Sequence, residues 1–318
     1  MAITITGGAT LTGGANIGTG GSPSPAPGAS NFGYVSGGSY TNVIQKFSFS
    51  SDGNSTDVGD LTQARNGAGA SSSVSGYTSG GYSPASSSAT NIIDKFSFSS
   101  DGNATDVGDL LSDLQATGGG NSSADNGYGA GGNLGAPAYS QSPTIQKFSF
   151  SADSNATDVG DLTIAVQTSA GQNSSISGYT SGGVSPSGSP ADINTIQKFA
   201  FASDADATDV GDLSNSLMGG SGQSSSDNGY CSGGGTPSIV DTIDKFPFAS
   251  DANATDVGDL TSADRYKTGQ SSSASGYASG GDESTQDIIE KFSFASDGNA
   301  SDIGDLFSAS GSGAGHQY

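Results

Sequence analysis

Apolar and polar residues alternate in short runs along most of this chain, and the same alternation returns six times. Each copy contains a stretch close to Ile-x-Lys-Phe-Ser-Phe, then a polar turn, then a stretch close to Thr-Asp-Val-Gly-Asp-Leu. An alternation with a period of two residues predicts β-strands. We number the repeat units 1 to 6 by their lysines, which are Lys46, Lys95, Lys147, Lys198, Lys245 and Lys291.

A second signature, Gly-Tyr-x-x-Gly-Gly, precedes each lysine, and a Ser-rich run with a turn precedes the signature. Each unit is therefore predicted to contain four short strands. In chain order they are the Ser-rich run (the inner strand), Gly-Tyr-x-Ser (the second strand), the lysine stretch (the third strand) and the Asp-Val-Gly-Asp stretch (the outer strand). Four strands in about 50 residues, repeated six times, predict an all-β, six-bladed β-propeller. An open β-solenoid is the alternative. The closed ring is favoured because an open array must cap its ends and no cap is evident.

Three segments follow from the extent of the repeat. Residues 1–27 lie outside it and are expected to form a short N-terminal β-extension with a Pro-rich linker. They either complete the domain or anchor it to a larger assembly. Residues 28–310 form the repeat domain, and the Gly-rich tail 311–318 is expected to fold back on the last blade.

Composition and net charge argue against a disordered chain and disfavour several classes of partner. Apolar residues are only 32%, yet their fixed places in every unit argue against disorder. The net charge of −22 disfavours nucleic acids and anionic membranes as partners. The chain has no apolar run long enough to span a membrane, and its start has no features of a secretion signal.

The order of small-residue strand, turn, aromatic residue, double glycine, loop and apolar strand resembles the kelch repeat. In that family the double glycine ends the second strand of each blade. Gly37-Gly38 and Gly80-Gly81 stand at the matching place, as do their four counterparts, but the outer-strand Trp usual in kelch blades is missing. The repeated phrase over residues 30–306 also resembles uncharacterised repeat proteins of marine tailed phages.

Spacing separates constant from variable parts of the unit. The lysine lies eleven residues before the first Asp of Asp-Val-Gly-Asp in all six units (46 to 57, 95 to 106, and so on), whereas 12 to 19 residues separate the Tyr from the lysine. The variable segments would meet on one rim of a propeller, where they either serve recognition or reflect neutral drift. The candidate binding residues there are Tyr40, Tyr82, Pro84, Leu134, Pro137, Tyr139, Val184, Pro186, Pro237 and Glu283.

The repeat lysines are expected to be half-buried between blades, where an ammonium needs a partner. The second Asp of Asp-Val-Gly-Asp, across the same hairpin, is the predicted partner. The predicted pairs are Lys46–Asp60, Lys95–Asp109, Lys147–Asp161, Lys198–Asp212, Lys245–Asp259 and Lys291–Asp305.

Other residue patterns give little support for a metal, glycosylation or catalytic site. The Asp-x-Asn turns, such as Asp101-Gly-Asn103, could hold structural Ca²⁺, but they lack the EF-hand order, and bonding to nearby backbone amides is favoured. Asn-x-Ser/Thr sequences in these turns are attributed to turn chemistry rather than to glycosylation. His316 is the only histidine, so no His-based triad is expected, and Cys231 reads as a small buried residue. No cofactor is expected.

These observations favour a non-enzymatic structural or binding protein of a phage virion: a tail fibre, knob or capsid-surface component. Residues 1–27 would contact other virion proteins, and the variable rim would contact a host-surface glycan or protein. Such a protein would be assembled in the host cytoplasm and released by lysis. The alternatives are an intracellular kelch-type interaction module and, less favoured, a carbohydrate-active propeller enzyme.

Overall fold

A computed structural model describes residues 31–38, 41–83, 85–135, 138, 140–185, 192–235, 238–282 and 287–317. The regular secondary structure of these residues consists of β-strands alone. The strands form small antiparallel sheets arranged as a β-propeller. The predicted all-β propeller is thus confirmed. The N-terminal extension 1–27 lies outside the described residues.

Four of the sheets have four strands each. The first contains, in spatial order, β24 (Ala314–Gln317), β1 (Phe32–Ser36), β2 (Val43–Ser48) and β3 (Thr56–Asp60). Unit 4 contributes β12 (Ala170–Asn173), β13 (Ser177–Ser181), β14 (Thr195–Ala200) and β15 (Thr208–Asp212). Unit 5 contributes β16 (Ser221–Ser224), β17 (Asn228–Ser232), β18 (Thr242–Pro247) and β19 (Thr255–Asp259). Unit 6 contributes β20 (Thr268–Ser271), β21 (Ser275–Ser279), β22 (Ile288–Ser293) and β23 (Ser301–Asp305).

The fifth sheet has eight strands and spans units 2 and 3. Its members are β4 (Ala68–Ser71), β5 (Ser75–Ser79), β6 (Tyr82–Ser83), β7 (Ser88–Ser97), β8 (Thr105–Ser122), β9 (Asn126–Leu134), β10 (Thr144–Ser149) and β11 (Thr157–Asp161). The central strand, β8, is the outer strand of unit 2 and continues without a break as the inner strand of unit 3.

The structure has four separate four-stranded sheets and one eight-stranded sheet that joins units 2 and 3. The predicted count of six separate four-stranded blades is therefore wrong. The fusion arises from the segments after the double glycines in units 2 and 3. They extend β7 and β9, so that Leu114 pairs with Thr90 on one side and with Leu134 on the other. Backbone pairing on both sides keeps β8 extended where other units turn.

The C-terminal tail closes the ring on the first unit rather than on the last. Ser36 pairs with Ala314 and Gly33 with Gln317, so β24 supplies the inner strand of the sheet that contains β1. The expectation that residues 311–318 fold back on the last blade is thus corrected. Among the described residues unit 1 begins at its second strand, β1, and β24 lies on the edge of β1 where the other units have their inner strand.

Neighbouring units pack through a repeated aromatic contact. The Tyr and Ile of one unit lie against the two Phe of the next, as with Tyr77 and Phe150, whose ring centroids are 4.7 Å apart. The same contact joins unit 6 to unit 1, where Tyr277 stacks on Phe49 at 4.5 Å. Burial of these faces is the main source of stability.

Glycine is required at two places in this packing. The double glycine after the second strand has positive φ at both residues, for example 63° at Gly80 and 109° at Gly81, and in five units it follows the end of the strand as expected. In unit 3 the strand β9 continues through Gly131-Gly132 to Leu134. Around the central axis, a Cβ on the inner-strand glycine of one unit would overlap the backbone of its neighbour. Side chains are therefore excluded from the narrowest part of the axis, which is lined by Gly69, Gly120, Gly171, Gly222, Gly269 and Gly315.

Candidate functional site

The repeat lysines form ion pairs, but not with the predicted partners. Each lysine pairs with the first Asp of the turn in the following unit, and unit 6 pairs with unit 1. The pairs and their distances are Lys46–Asp101 2.9 Å, Lys95–Asp153 2.9 Å, Lys147–Asp204 2.6 Å, Lys198–Asp251 3.0 Å, Lys245–Asp297 2.7 Å and Lys291–Asp52 2.9 Å.

Strand register explains the wrong prediction. Lys46 lies opposite Thr56, whereas Asp60 lies opposite Val43, three residues away and roughly 10 Å along the strand. The same offset separates Lys95 from Asp109, Lys147 from Asp161, Lys198 from Asp212, Lys245 from Asp259 and Lys291 from Asp305. The actual pairs lie on the surface, since the aspartate side chains are 55–62% exposed.

Replacing Lys95 with Met is expected to lower the free energy of unfolding by less than about 1 kcal/mol, because exposed ion pairs contribute little. Hydrogen bonding to Asp153 raises the pKa of Lys95. The ammonium therefore stays charged, but solvent screens the pair. Urea titration of Lys95→Met and of wild type at low and high salt measures the difference. A loss of several kcal/mol would show that the pair is not a screened surface contact.

The turn aspartates and asparagines are occupied by contacts between units. Asn103 Oδ1 accepts the backbone N–H of Asp60 at 3.1 Å, and Asp101 is held by Lys46. Asp57 accepts the N–H of Gly59 within its own strand at 3.1 Å. Among the described residues no group of three His, Cys, Asp or Glu side chains is placed to hold a metal ion. The turn therefore joins neighbouring units, and its Asp-x-Asn oxygens have protein donors.

The two sides of the ring differ. One side, the hairpin face, carries the turns between inner and second strands and between third and outer strands. The other side, the variable-loop face, carries the segments after the double glycines and the segments that lead from each outer strand to the next inner strand. Antiparallel order places these elements on the same side in every unit.

Three of the ten candidate rim residues are described, and all three lie on the variable-loop face. Tyr82 pairs with Ala89 in a short hairpin, Leu134 ends β9, and Val184 bridges to Gln167 and Asp192. The other seven lie outside the described residues: Tyr40, Pro84, Pro137, Tyr139, Pro186, Pro237 and Glu283.

A cavity of ≈ 160 Å³ opens at the axis on the variable-loop face. Its polar lining includes Asn66, Thr168, Ser169, Tyr266 and Ser312, and glycines form its base. Thr168, Tyr266 and Ser312 have positive φ, and the N–H of Ser312 donates to the carbonyl of Tyr266 at 2.8 Å. The mouth of the axis therefore carries hydroxyl and amide groups, and Lys267, which is paired with Glu290, also lines the cavity.

Buried charges at the boundaries between units were not predicted. Arg65 and Asp94, both fully buried, form an ion pair of 2.7 Å between units 1 and 2. Lys267 and Glu290 form one of 2.9 Å between units 5 and 6. Two signals could have found them. The residue before the repeat lysine is acidic in only three units, and only three of the nine basic residues lie outside the repeat lysines.

Asp244 occupies the same position in unit 5 without such a partner. Its Oδ2 accepts the N–H of Ser214 at 2.9 Å, while its buried Oδ1 has no hydrogen-bond donor in the described part of the chain. Burial raises the pKa of Asp244, and the bonds from Ser214 oppose the shift. Burial also raises the pKa of the neighbouring Cys231 thiol to about 12, which makes the thiol unreactive, as expected for a small buried residue.

Replacing Asp244 with Gln, the residue at this position in units 1, 3 and 4, is expected to stabilise the fold at pH 7 by about 1–2 kcal/mol. Because the folded pKa of Asp244 is raised, wild-type stability from this group is present below the ordinary Asp pKa and is lost as pH rises through the folded value. The gain should vanish near pH 3. Thermal unfolding from pH 3 to 8 measures this gain in stability. Asp94→Gln, which deprives Arg65 of its partner, should instead lower the stability.

No protein-family model matches this chain, and no curated protein sequence matches it. The resemblances to kelch repeats and to tailed-phage repeat proteins therefore stay predictions from the sequence. No helix that could cross a membrane occurs in the described ranges.

Proposed function

We propose that this chain is a non-enzymatic binding protein that recognises its partner through the variable-loop face. The observation that carries the proposal is the contrast between the two faces. The hairpin face repeats the same bonds in every unit, with the Asp-x-Asn oxygens held by Lys and by backbone amides. The variable-loop face differs in segment length from unit to unit and surrounds the cavity at the axis.

We further propose that the eight-stranded sheet works as two blades, so that six units surround one axis. Six inner-strand glycines line the axis. Six hydrophobic clusters lie between consecutive units, including one between units 2 and 3 inside the joined sheet. Such a scaffold can present six different segments on one face without a change in its core.

The setting that we propose is the surface of a phage particle, with residues 1–27 docking the propeller to other virion proteins. This part rests on the resemblance of the repeated phrase to tailed-phage proteins. Quantitative mass spectrometry of purified particles tests it. A fixed copy number per particle supports it, and absence from particles of a phage that encodes the chain contradicts it. A chain without residues 1–27 should fold but fail to join particles.

Exposed apolar residues on opposite faces provide a matched test of the binding face. Leu111 and Phe307, on the variable-loop face, are 50% and 62% exposed, and Val74 and Ile176, on the hairpin face, are 62% and 70% exposed. The pairs Leu111→Ser/Phe307→Ser and Val74→Ser/Ile176→Ser remove similar surface without touching the core. A third variant exchanges the segment after Gly182-Gly183 for the shorter one after Gly37-Gly38.

Binding is measured against an array of neutral and acidic glycans and against intact host bacteria. The first pair of substitutions or the segment exchange should weaken binding at least tenfold, and the second pair should leave it unchanged. Equal loss from both faces, or no binding of wild type to any of these probes, would contradict recognition of a host surface by the variable-loop face.

A further inference from the structure

His316 holds the strand that closes the ring. It lies on β24, has no exposed surface, and occupies the inner-strand position taken by glutamine in units 4, 5 and 6. Those glutamines, Gln172, Gln223 and Gln270, bond the serine of their own second strand and the Tyr carbonyl of the next unit. His316 likewise bonds Ser36 of its own second strand, but it reaches the carbonyl of Ala70 instead of a Tyr carbonyl, and its ring is ionisable where the amide is not.

The hydrogen bonds of the imidazole show which of its two nitrogens carries the proton in the neutral ring. Nδ1 lies 3.1 Å from the carbonyl oxygen of Ala70 and must donate to it, so Nε2 is the acceptor. Nε2 receives the Ser36 hydroxyl at 2.8 Å and lies 3.3 Å from the hydroxyl of Thr78. The Phe96 ring and the imidazole form a T-shaped contact, with centroids 5.1 Å apart.

In the described part of the chain no carboxylate contacts this ring to compensate a charge on it. From β1 it faces Ser36 and its register partner Tyr34, from β4 Ala70, from β5 Thr78 and from β7 Phe96. β20 (Thr268–Ser271), which also packs against β24, carries no ionisable side chain. Two charged residues bind groups that contact the ring, and each of them is ion-paired. Arg65, bound to Asp94, donates to the carbonyl of Thr78, and Lys46, bound to Asp101, lies over the Tyr34 ring. Burial lowers the pKa of His316 to about 4.

The connection of β24 makes it the inner strand most easily released. β4, β12, β16 and β20 are each joined to their partner strand by a short hairpin, for example from Ser71 to Ser75. His316 and Ser36 are 280 residues apart in the chain, so β24 is held to β1 by non-covalent contacts alone. Local opening of such an element costs less than opening of a hairpin within the sheet.

We propose that β24 is an acid-sensitive latch, and that protonation of His316 releases it from β1 and β4 and opens the ring. The proton comes from solvent and binds Nε2, which then loses its role as acceptor from Ser36. The charged ring is stable only in water, so the strand must leave the interior to carry it. Neither the proposed binding function nor the phage setting is required for this device.

The expected size of the effect follows from linkage. The folded pKa lies below the ordinary value of 6.5, so stability from the neutral ring is present above pH 6.5 and is lost as pH falls toward about 4. Between pH 7 and pH 4 the ratio of open to closed latch should rise on the order of 100-fold.

Hydrogen exchange of the full chain tests the latch. Protection of residues 314–317, corrected for the intrinsic effect of pH, should fall on the order of 100-fold between pH 7 and pH 4, whereas protection of β20 should change less than tenfold. His316→Gln, which copies units 4 to 6, should keep β24 protected at both pH values. Because wild type and His316→Gln share every other titratable group, the difference between their acid responses isolates the histidine.

Two results would overturn the proposal. One is equal loss of protection in β24 and β20, which indicates global acid unfolding. The other is an identical acid response of wild type and His316→Gln. A second readout uses the only histidine of the chain, whose ring proton resonances should titrate together with the opening of β24. Should His316→Gln fail to fold, His316→Asn, which places the residue of Asn121 at this position, replaces it.

Discussion

Removal of residues 314–318 is expected to open the ring and to lower the free energy of unfolding on the order of 3–5 kcal/mol, a large fraction of the stability of a typical domain. β24 pairs with β1 at four positions and lies between β4 and β20 at the axis. Its loss exposes the edge of β1, leaves the hydroxyls of Ser36 and Thr78 without the imidazole, and uncovers Ala70.

Urea unfolding followed by circular dichroism, together with the hydrodynamic radius, measures this loss. Wild type should unfold in one transition, whereas the truncated chain should unfold at a much lower urea concentration and be larger or aggregated. Deletion of residues 1–27, which precede the first repeat unit, is the control and should leave the midpoint nearly unchanged. A midpoint of the C-terminal truncation within experimental error of wild type would show that closure by β24 contributes little.

Arg65→Met is expected to cost about 3–5 kcal/mol, because it leaves the fully buried Asp94 without a counter-charge. Besides the ion pair, the guanidinium donates to the carbonyl oxygens of Gly80 and Thr78, both at 2.9 Å. Thus the substitution also removes donors from the end of the second strand of unit 2. Chemical denaturation at pH 7 gives the difference in stability.

The chain offers a matched rescue for this variant. At the boundary of units 2 and 3 the positions of Arg65 and Asp94 are taken by Leu114 and Gln146, where Gln146 still accepts the N–H of Leu111 at 2.6 Å. The double variant Arg65→Leu/Asp94→Gln should therefore recover most of the stability that Arg65→Met loses. Arg265→Met, which breaks a partly exposed pair with Asp282, should cost less than about 1 kcal/mol. If the double variant were as unstable as the single one, an unpaired charge would not be the cause.

The candidate site was predictable in location but not in detail. The differing lengths between Tyr and Lys marked the segments that lie on the variable-loop face, where Tyr82, Leu134 and Val184 are found. The buried pairs were not found, since Arg65 and Lys267 stand in non-repeating segments whose neighbours belong to another unit. His316 was dismissed for catalysis, yet the reason it matters, burial in the strand that closes the ring, is invisible in a Gly-rich tail.

By itself the sequence determined the strand class, the repeat and the constant hairpin, because a period of two residues and turns such as Asp-Gly-Asn act within a few residues. It also determined the positive φ at the double glycines, a local demand that ends the second strand in five of the six units. Only the tertiary structure decided which aspartate each lysine meets, where β24 pairs, and that β8 joins two units in one sheet. These outcomes depend on register and on contacts between units, where several partners have the same chemistry and only position in space distinguishes them.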